Sequence, residues 1–147
     1  MEELAVLDTL YVHQKTTLCS GHTYEVIRLR RPYTFGPDKL DVTVHGTLAS
    51  VVRVEPTFMK PVLNINDAND ERVLRVKGPI NFHASADFKI YTNNKTCIGC
   101  IRKEWRGLFQ EMFLDANNFV ITFPWDLDVH FKAAIIGACF LIVSDIP

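Results

Sequence analysis

The sequence predicts a mainly β fold of the α+β type, in which short antiparallel strands precede a hydrophobic helix. Short runs rich in β-branched and aromatic residues alternate with turn residues through the first hundred positions. The most apolar segment lies near the C-terminus. The length of 147 residues permits one domain, so we expect residues 1–147 to form a single domain.

Seven strands are predicted in the first hundred positions. The turns between them contain the Gly, Pro, Asn or Asp residues that reverse the chain direction. This spacing is typical of hairpins and indicates an antiparallel sheet. The predicted strands are Thr9–Val12, Thr23–Leu29, Leu40–Val44, Ala49–Val54, Val62–Ile65, Val73–Val76 and Phe88–Tyr91.

The following segment mixes two patterns. Ile101–Phe113 combines aromatic and charged residues, which is compatible with a short helix or with a twisted hairpin arm. Gly107 weakens the helical interpretation, because glycine is a poor helix former. Phe119–Pro124 alternates large apolar residues with others, which predicts a strand that ends at the proline.

The final hydrophobic segment, Val129–Val143, is predicted to be a helix. Asp126 and Asp128 lie at its start, where carboxylates suit a helix N-terminus. Its uncharged part, Ala133–Val143, is 11 residues long, whereas a helix needs about 20 residues to cross a bilayer. A core helix enclosed by the sheet is therefore favoured, with a membrane span as the alternative.

Composition excludes several classes of function. The 16 Lys and Arg residues are balanced by 17 Asp and Glu residues, so a nucleic-acid partner is not expected. Four cysteines are too few for a disulfide scaffold and favour a reducing compartment. The first residues lack the pattern of a secretion signal. No catalytic triad, phosphate loop or H-E-x-x-H motif supports covalent catalysis.

A long C-terminal signature resembles the phospholipid scramblases. It runs Asp-Ala-Asn-Asn-Phe-Val-Ile-Thr-Phe-Pro-Trp-Asp-Leu-Asp-Val over residues 115–129 and continues with Lys-Ala and Ile-Gly-Ala-Cys-Phe-Leu-Ile up to Ile142. Upstream, residues 99–108 fit the family pattern G-x-I-x-K-x-W-x-G-[IL], and Leu74–Pro79 fits an apolar strand that ends in Gly-Pro. The resemblance is specific from about Leu63 onwards.

The resemblance implies a Tubby-like fold, an antiparallel β-barrel around the hydrophobic C-terminal helix. A full scramblase domain is longer, so the early strands are expected to be missing and the barrel to be incomplete. An unpaired strand edge favours pairing with another chain, which suggests self-association.

The resemblance also implies calcium-dependent, ATP-independent, bidirectional movement of phospholipids across a bilayer, a transport-like activity rather than covalent catalysis. The expected partner is a phospholipid membrane. The expected location is the cytoplasmic side of the plasma membrane, with the nucleus as a second location. The alternative is a non-transporting module of Tubby-like fold that binds membranes or anionic lipid.

Asp115, Asn117 and Asp126 are the candidate calcium ligands, because the family's matching twelve-residue loop is compared with an EF-hand. Position 6 is Val120, where an EF-hand needs Gly, and position 12 is Asp rather than Glu. We therefore expect weak affinity, on the order of 10⁻³ M. In the alternative interpretation, Asp115 begins a turn and Asp126 caps the helix.

Two further groups are candidate site residues. Arg102, Lys103 and Arg106 surround Trp105 in a compact basic patch, whose family counterpart acts in nuclear import in some members. Contact with anionic headgroups or a plain solvated face are the other interpretations. The residues expected to form the core or membrane helix are Ala133, Ile135, Ile136, Gly137, Phe140 and Leu141.

The cysteines favour structural roles. Cys97 and Cys100 have the spacing of a zinc half-site, but the sequence lacks a second pair, so a strand-and-turn role is favoured over metal binding or palmitoylation. Cys139 lies in the apolar run and is expected to be a small core residue.

Overall fold

The computed structural model describes residues 9–13, 27–32, 35–80, 87–104 and 118–145. Within this part of the chain, strands form one antiparallel sheet in the order β1-β9-β8-β7-β6-β5-β4-β3-β2. The strands are β1 Thr9–His13, β2 Ile27–Arg30, β3 Lys39–Val44, β4 Thr47–Glu55, β5 Val62–Asp67, β6 Arg72–Lys77, β7 Asp87–Thr92, β8 Cys97–Glu104 and β9 Asn118–Thr122, and helix α1 is Val129–Asp145.

The strand predictions are confirmed wherever they fall on described residues, with ends that move by at most two positions. Residues 23–26 of the second predicted strand lie outside the described residues. The ambiguous segment after Ile101 continues strand β8 as far as Glu104, so its described part is a hairpin arm rather than a helix. Residues 105–113 lie outside the described part. Strand β9 ends at Thr122, two residues before the predicted end.

The sheet is a barrel-like wall that does not close among the described strands. β1 pairs with β9 and β2 pairs with β3, and these two strands form the edges. Register shifts at Val42/Thr43, Ile65/Asn66 and Ile90/Tyr91 bend the sheet, as β-bulges do. The mainly β, incomplete-barrel fold with a C-terminal helix is therefore confirmed.

The antiparallel order sorts the connections into two ends. We call "even end" the connections after β2, β4 and β6, at residues 31–38, 56–61 and 78–86, of which 33–34 and 81–86 are not described. We call "odd end" the connections after β3, β5, β7 and β9, at residues 45–46, 68–71, 93–96 and 123–128. Helix α1 begins at the odd end because it follows β9 directly.

Helix α1 packs on the inner face of the sheet, against β3, β4 and β5. Alternate strand residues point inward because successive side chains of a strand face opposite sides. The inward residues join the helix in one buried cluster that contains, among others, Val42, Val52, Leu63, Ile65, Leu74, Val76, Phe88, Ile90, Ile101, Phe119, Ile121, Ala133, Ala134, Ile135, Ala138, Cys139, Leu141 and Ile142.

Gly99 lets strand β9 pass close to β8. A Cβ atom at this position would overlap the backbone carbonyl oxygen of Thr122. We expect Gly99→Ala to lower the free energy of unfolding by about 1–3 kcal/mol, the usual cost of overpacking, because backbone in a sheet cannot move aside freely. Denaturant titration followed by far-UV circular dichroism measures this loss.

Gly137→Ala is the matched control. Its Cβ would lie 2.8 Å from Leu40 Cδ2, the far end of a side chain rather than backbone, and alanine favours a helix by up to about 1 kcal/mol over glycine. We expect stability close to wild type. Equal losses at both glycines would contradict the difference between a backbone and a side-chain obstacle.

Candidate functional site

Asp126 is the one candidate calcium ligand whose placement is described. It is exposed in the turn between β9 and α1, where the Leu127 amide donates to the Pro124 carbonyl at 3.1 Å. Asp115 and Asn117 lie outside the described residues, so their role stays a prediction. Positions 4–8 of the predicted twelve-residue loop, residues 118–122, form the extended strand β9. The described residues contain no cluster of three or more His, Cys, Asp or Glu side chains able to hold a metal ion.

Asp128, not Asp126, caps helix α1. The Asp128 carboxylate oxygen Oδ1 accepts a hydrogen bond from the His130 amide at 2.8 Å and lies 3.0 Å from His130 Nδ1. The Asp128 carbonyl accepts the first helical hydrogen bonds, from the amides of Phe131 and Lys132. The sequence interpretation that Asp126 acts as the helix cap is wrong, because the turn at Pro124 displaces it from the first helical residue.

Arg102 is the one residue of the basic patch whose side chain the structure describes. Its guanidinium makes two hydrogen bonds to Asp87, the residue opposite it on β7, at 2.9 and 3.3 Å. The side chain of Lys103 and all of Arg106 lie outside the described residues. Asp87 offsets the Arg102 charge, a pairing that the sequence could not reveal because the partners are 15 residues apart.

Five of the six residues predicted to form the core or membrane helix are buried or half-buried, whereas Phe140 is not a core residue. Ala133, Ile135, Gly137 and Leu141 are buried, Ile136 is half-buried and Phe140 is 42% exposed. No helix in the described part of the chain has the length and apolar character needed to span a membrane.

A buried lysine ties the helix to the turn that precedes it. Lys132 is 0% exposed, and its ammonium Nζ donates to the Trp125 carbonyl at 2.6 Å. The same ammonium lies 5.2 Å from the centre of the Phe123 ring, within the range of a cation–π interaction. A buried charge needs such partners, because desolvation otherwise opposes its burial.

Sequence reasoning missed a polar cluster on the outer face of β4, β5 and β6. Arg53 makes two hydrogen bonds to the Asp70 carboxylate, at 2.9 and 2.6 Å, and the Asn66 amide donates to Asp70 Oδ1 at 2.8 Å. Two residues further along β4, Glu55 accepts from Asn64 at 3.0 Å and from Arg75. The sequence shows the alternating polar residues of these strands, but it does not show the strand register that brings them together.

Hydrogen bonds to this cluster stabilise its carboxylates in the ionised form. The Arg53 guanidinium and then the Asn66 amide lower the pKa of Asp70 from 3.8 to about 2. The Asn64 amide, followed by Arg75, lowers the pKa of Glu55. Each charge in the cluster has a partner within it, so its chemistry is that of a clamp across three strands rather than of a catalytic centre.

The fold and these groups define a class of protein: a barrel-like antiparallel sheet that encloses a hydrophobic C-terminal helix. Comparison with known proteins gives the family. The model of the family named Scramblase matches residues 15–146. The chain therefore belongs to the scramblase family.

Three curated relatives illustrate the similarity. The chain is 44% identical to phospholipid scramblase 2 of Bos taurus over 86 residues, which cover 56% of this chain and 29% of that protein. It is 41% identical to human phospholipid scramblase family member 5 over 100 residues, covering 65% of this chain and 37% of that one. It is 39% identical to human phospholipid scramblase 4 over 142 residues, covering 87% and 42%.

The matched region thus spans less than half the length of these relatives. No solved structure matches the chain significantly. The assignment to the Tubby-like superfamily accordingly stays a prediction.

Removing the helix cap tests its assignment. Asp128→Ala deprives the His130 amide of its acceptor, and we expect a loss of about 1 kcal/mol of unfolding free energy. Asp126→Ala, the matched control two residues earlier, should leave stability unchanged in the absence of calcium. Thermal and urea unfolding of both variants measure the difference, and a larger loss in Asp126→Ala would return the cap to Asp126.

Stability should depend on pH through Asp70. Its lowered pKa means that the folded state favours the carboxylate, so this contribution is present above about pH 4 and disappears as the pH falls through about 2. We expect Asp70→Asn to lower the unfolding free energy at pH 7 by at most about 1 kcal/mol, because solvent screens the half-exposed pair. Asparagine also tolerates the positive φ of 64° at this position.

Urea titrations at several pH values between 7 and 2 measure this effect. The difference between wild type and Asp70→Asn should shrink as the pH falls. Glu71→Gln, a charge removal at the exposed neighbouring residue of the same turn, is the control. A pH-independent difference would contradict the role of the Asp70 carboxylate.

Proposed function

We propose that this chain associates with phospholipid membranes and moves phospholipids between the two leaflets of a bilayer, in a calcium-dependent and ATP-independent manner. Membership of the scramblase family supports the proposal. The family model covers nearly the whole chain, residues 15–146, and the similar curated proteins are named phospholipid scramblases. This family match is the observation that carries the proposal.

The packing of helix α1 constrains how lipid would move. Its buried residues form the core of the sheet, and the same side chains cannot face lipid while they do so. Movement of lipid therefore requires either that the helix leaves the sheet in the membrane or that headgroups travel along the outer surface of the protein.

Calcium would act through Asp115, Asn117 and Asp126 in this proposal. All oxygen ligands of a calcium ion lie 2.3–2.6 Å from it, whereas five residues of extended strand span about 14 Å. Strand β9 occupies residues 118–122, between the second and third of these ligands. One ion held by all three residues would thus require β9 to change conformation, so calcium should alter the far-UV circular dichroism spectrum.

Fluorescent-lipid scrambling in liposomes tests the activity directly. The purified chain is reconstituted without ATP, calcium is titrated, and the rate of dithionite-accessible lipid exchange is measured. We expect calcium to raise the rate and Asp115→Ala/Asp126→Ala to abolish the increase. Glu71→Gln, which removes a carboxylate from another turn, should respond like wild type.

Two outcomes would contradict the proposal in different ways. If calcium still raises the scrambling rate of the double variant, the assignment of the calcium site is wrong while the proposed activity stands. If folded, liposome-bound protein does not scramble lipid, the proposed transport activity is wrong.

A lipid-binding module that transports nothing is the second candidate function. It is favoured by the burial of α1, which leaves the helix occupied as the core of the sheet. In this case Arg102, Lys103 and Arg106 would contact anionic headgroups, and high salt should release the protein from vesicles because it screens charges. A transporter embedded in the bilayer should instead require detergent.

Location and self-association complete the proposal. Family membership supports association with a membrane, and we propose the cytoplasmic side of the plasma membrane as the location, with the nucleus as a second one. Strands β1 and β2 are the edges of the described sheet, and pairing of such edges between two copies would produce a dimer.

A further inference from the structure

Four large apolar side chains project from the even end of the sheet. Phe35 follows β2, Phe58 and Met59 follow β4, and Ile80 follows β6. Their exposed fractions are 113%, 105%, 68% and 59%, so the two phenylalanines are uncovered and the other two side chains are more than half exposed. We call these four residues the apolar tips. Large apolar side chains exposed together at one end of a molecule are a candidate interaction surface.

The connections that carry the tips are tied to one another. The Asp38 carbonyl accepts from the Val54 amide at 2.8 Å, which joins the first connection to β4, and the Pro61 carbonyl accepts from the Gly78 amide at 2.9 Å, which joins the second to the third. Gly78 permits this approach, since a Cβ there would lie 2.5 Å from Pro61 Cγ.

Prolines stiffen the same connections. Five of the seven prolines lie in them, at positions 32, 37, 56, 61 and 79. Each proline fixes one backbone angle and so reduces the entropy lost when the tips bind. Adjacent connections are two strands apart, so their attachment points on the sheet are separated by about 10 Å along the rim.

The two ends of the sheet differ in charge. The three even-end connections and the strand residues that flank them carry five cations, Arg30, Arg31, Lys39, Lys60 and Lys77, and three carboxylates, Asp38, Glu55 and Asp87, and strand β8 ends at the same end with Glu104. The odd end carries five carboxylates, Asp67, Asp70, Glu71, Asp126 and Asp128, and two cations, Arg72 and Lys95. Arg31 pairs with Asp38 at 2.7 Å, and the apolar tips thus lie at the less acidic end.

We propose that the even end docks on an anionic phospholipid bilayer and inserts its four apolar tips below the headgroups. The inference rests on the proposed membrane association and names the surface responsible for it. The apolar side chains project from three separate connections, and the apolar interior of a bilayer can accommodate all of them at once. The cations around them attract anionic headgroups. Exposed Lys60, next to Met59, occupies the position where a cation meets the headgroup layer.

Sedimentation with sucrose-loaded vesicles tests the surface. The purified chain is incubated with vesicles of phosphatidylcholine alone or of phosphatidylcholine and phosphatidylserine, and the bound fraction gives the partition coefficient. We expect tighter binding to the anionic vesicles. Phe35→Ser and Phe58→Ser should each weaken that binding about tenfold, because each removes a large apolar side chain from the membrane. Lys60→Glu should weaken binding to the anionic vesicles alone.

Trp125→Ser is the matched control. Trp125 is an aromatic residue, 70% exposed, at the acidic odd end, and its loss should leave binding unchanged. A Phe58→Trp variant adds a direct readout, since lipids brominated near the headgroup should quench its added fluorescence. Circular dichroism checks that the variants fold, as expected for substitutions of exposed side chains.

The outcomes separate this surface from the proposed function. If Phe35→Ser and Phe58→Ser both bind vesicles as tightly as wild type does, or if Trp125→Ser loses binding, the even-end surface is overturned while membrane association stands. No binding of wild type to either vesicle would overturn both. A wild-type dimer that dissociates in Phe58→Ser without lipid would assign the tips to a second copy of the chain instead and would overturn the bilayer proposal.

Discussion

Burial of helix α1 on the inner face of the sheet is the constraint on which the rest of the structure depends. Inward residues from β3 to β9 meet the helix in one apolar cluster, and each fully buried large aliphatic or aromatic side chain contributes about 1.5–3 kcal/mol. The whole stability of a domain is typically about 5–15 kcal/mol. A sheet that lost the helix to the bilayer would therefore have to find another partner for this face.

The start of the helix shows how tightly it is fixed. Asp128 caps its first turn and Lys132, one turn later, reaches back to the Trp125 carbonyl and the Phe123 ring. The ammonium is fully buried, so the turn at residues 124–127 and the helix are held together as a unit. Asp126 lies on this same turn. A calcium ion bound there would act directly on the junction between β9 and the core helix.

The barrel-like sheet also separates two chemistries in space. Helix α1 starts at the acidic odd end, while the apolar tips and most of the flanking cations lie at the even end. A protein that meets a membrane at the even end would hold Asp126 and Asp128 on the side away from the lipid. Asp126, the third of the proposed calcium ligands, and the proposed membrane contact would then lie at opposite ends of the strands.

Sequence patterns were informative where the physical signal is local. The strands from β3 to β7 follow from β-branched runs between Gly, Pro, Asn and Asp turns, and the 11 uncharged residues of the last segment predicted a helix that packs in the core. Local pattern was less informative at residues 101–104, where one apolar residue followed by three charged residues is compatible with a helix or with a strand. Pairing with β7 and β9 decided in favour of a strand.

The candidate site shows the same division. The sequence alone determined the family signature, the strand-and-helix order and the apolar character of α1, because these depend on residues close together in the chain. Tertiary structure alone decided that Asp87 neutralises Arg102, that Arg53 meets Asp70, and that Phe35, Phe58 and Ile80 share one end. Strand register brings together residues 15 or more positions apart, and no local pattern encodes that register.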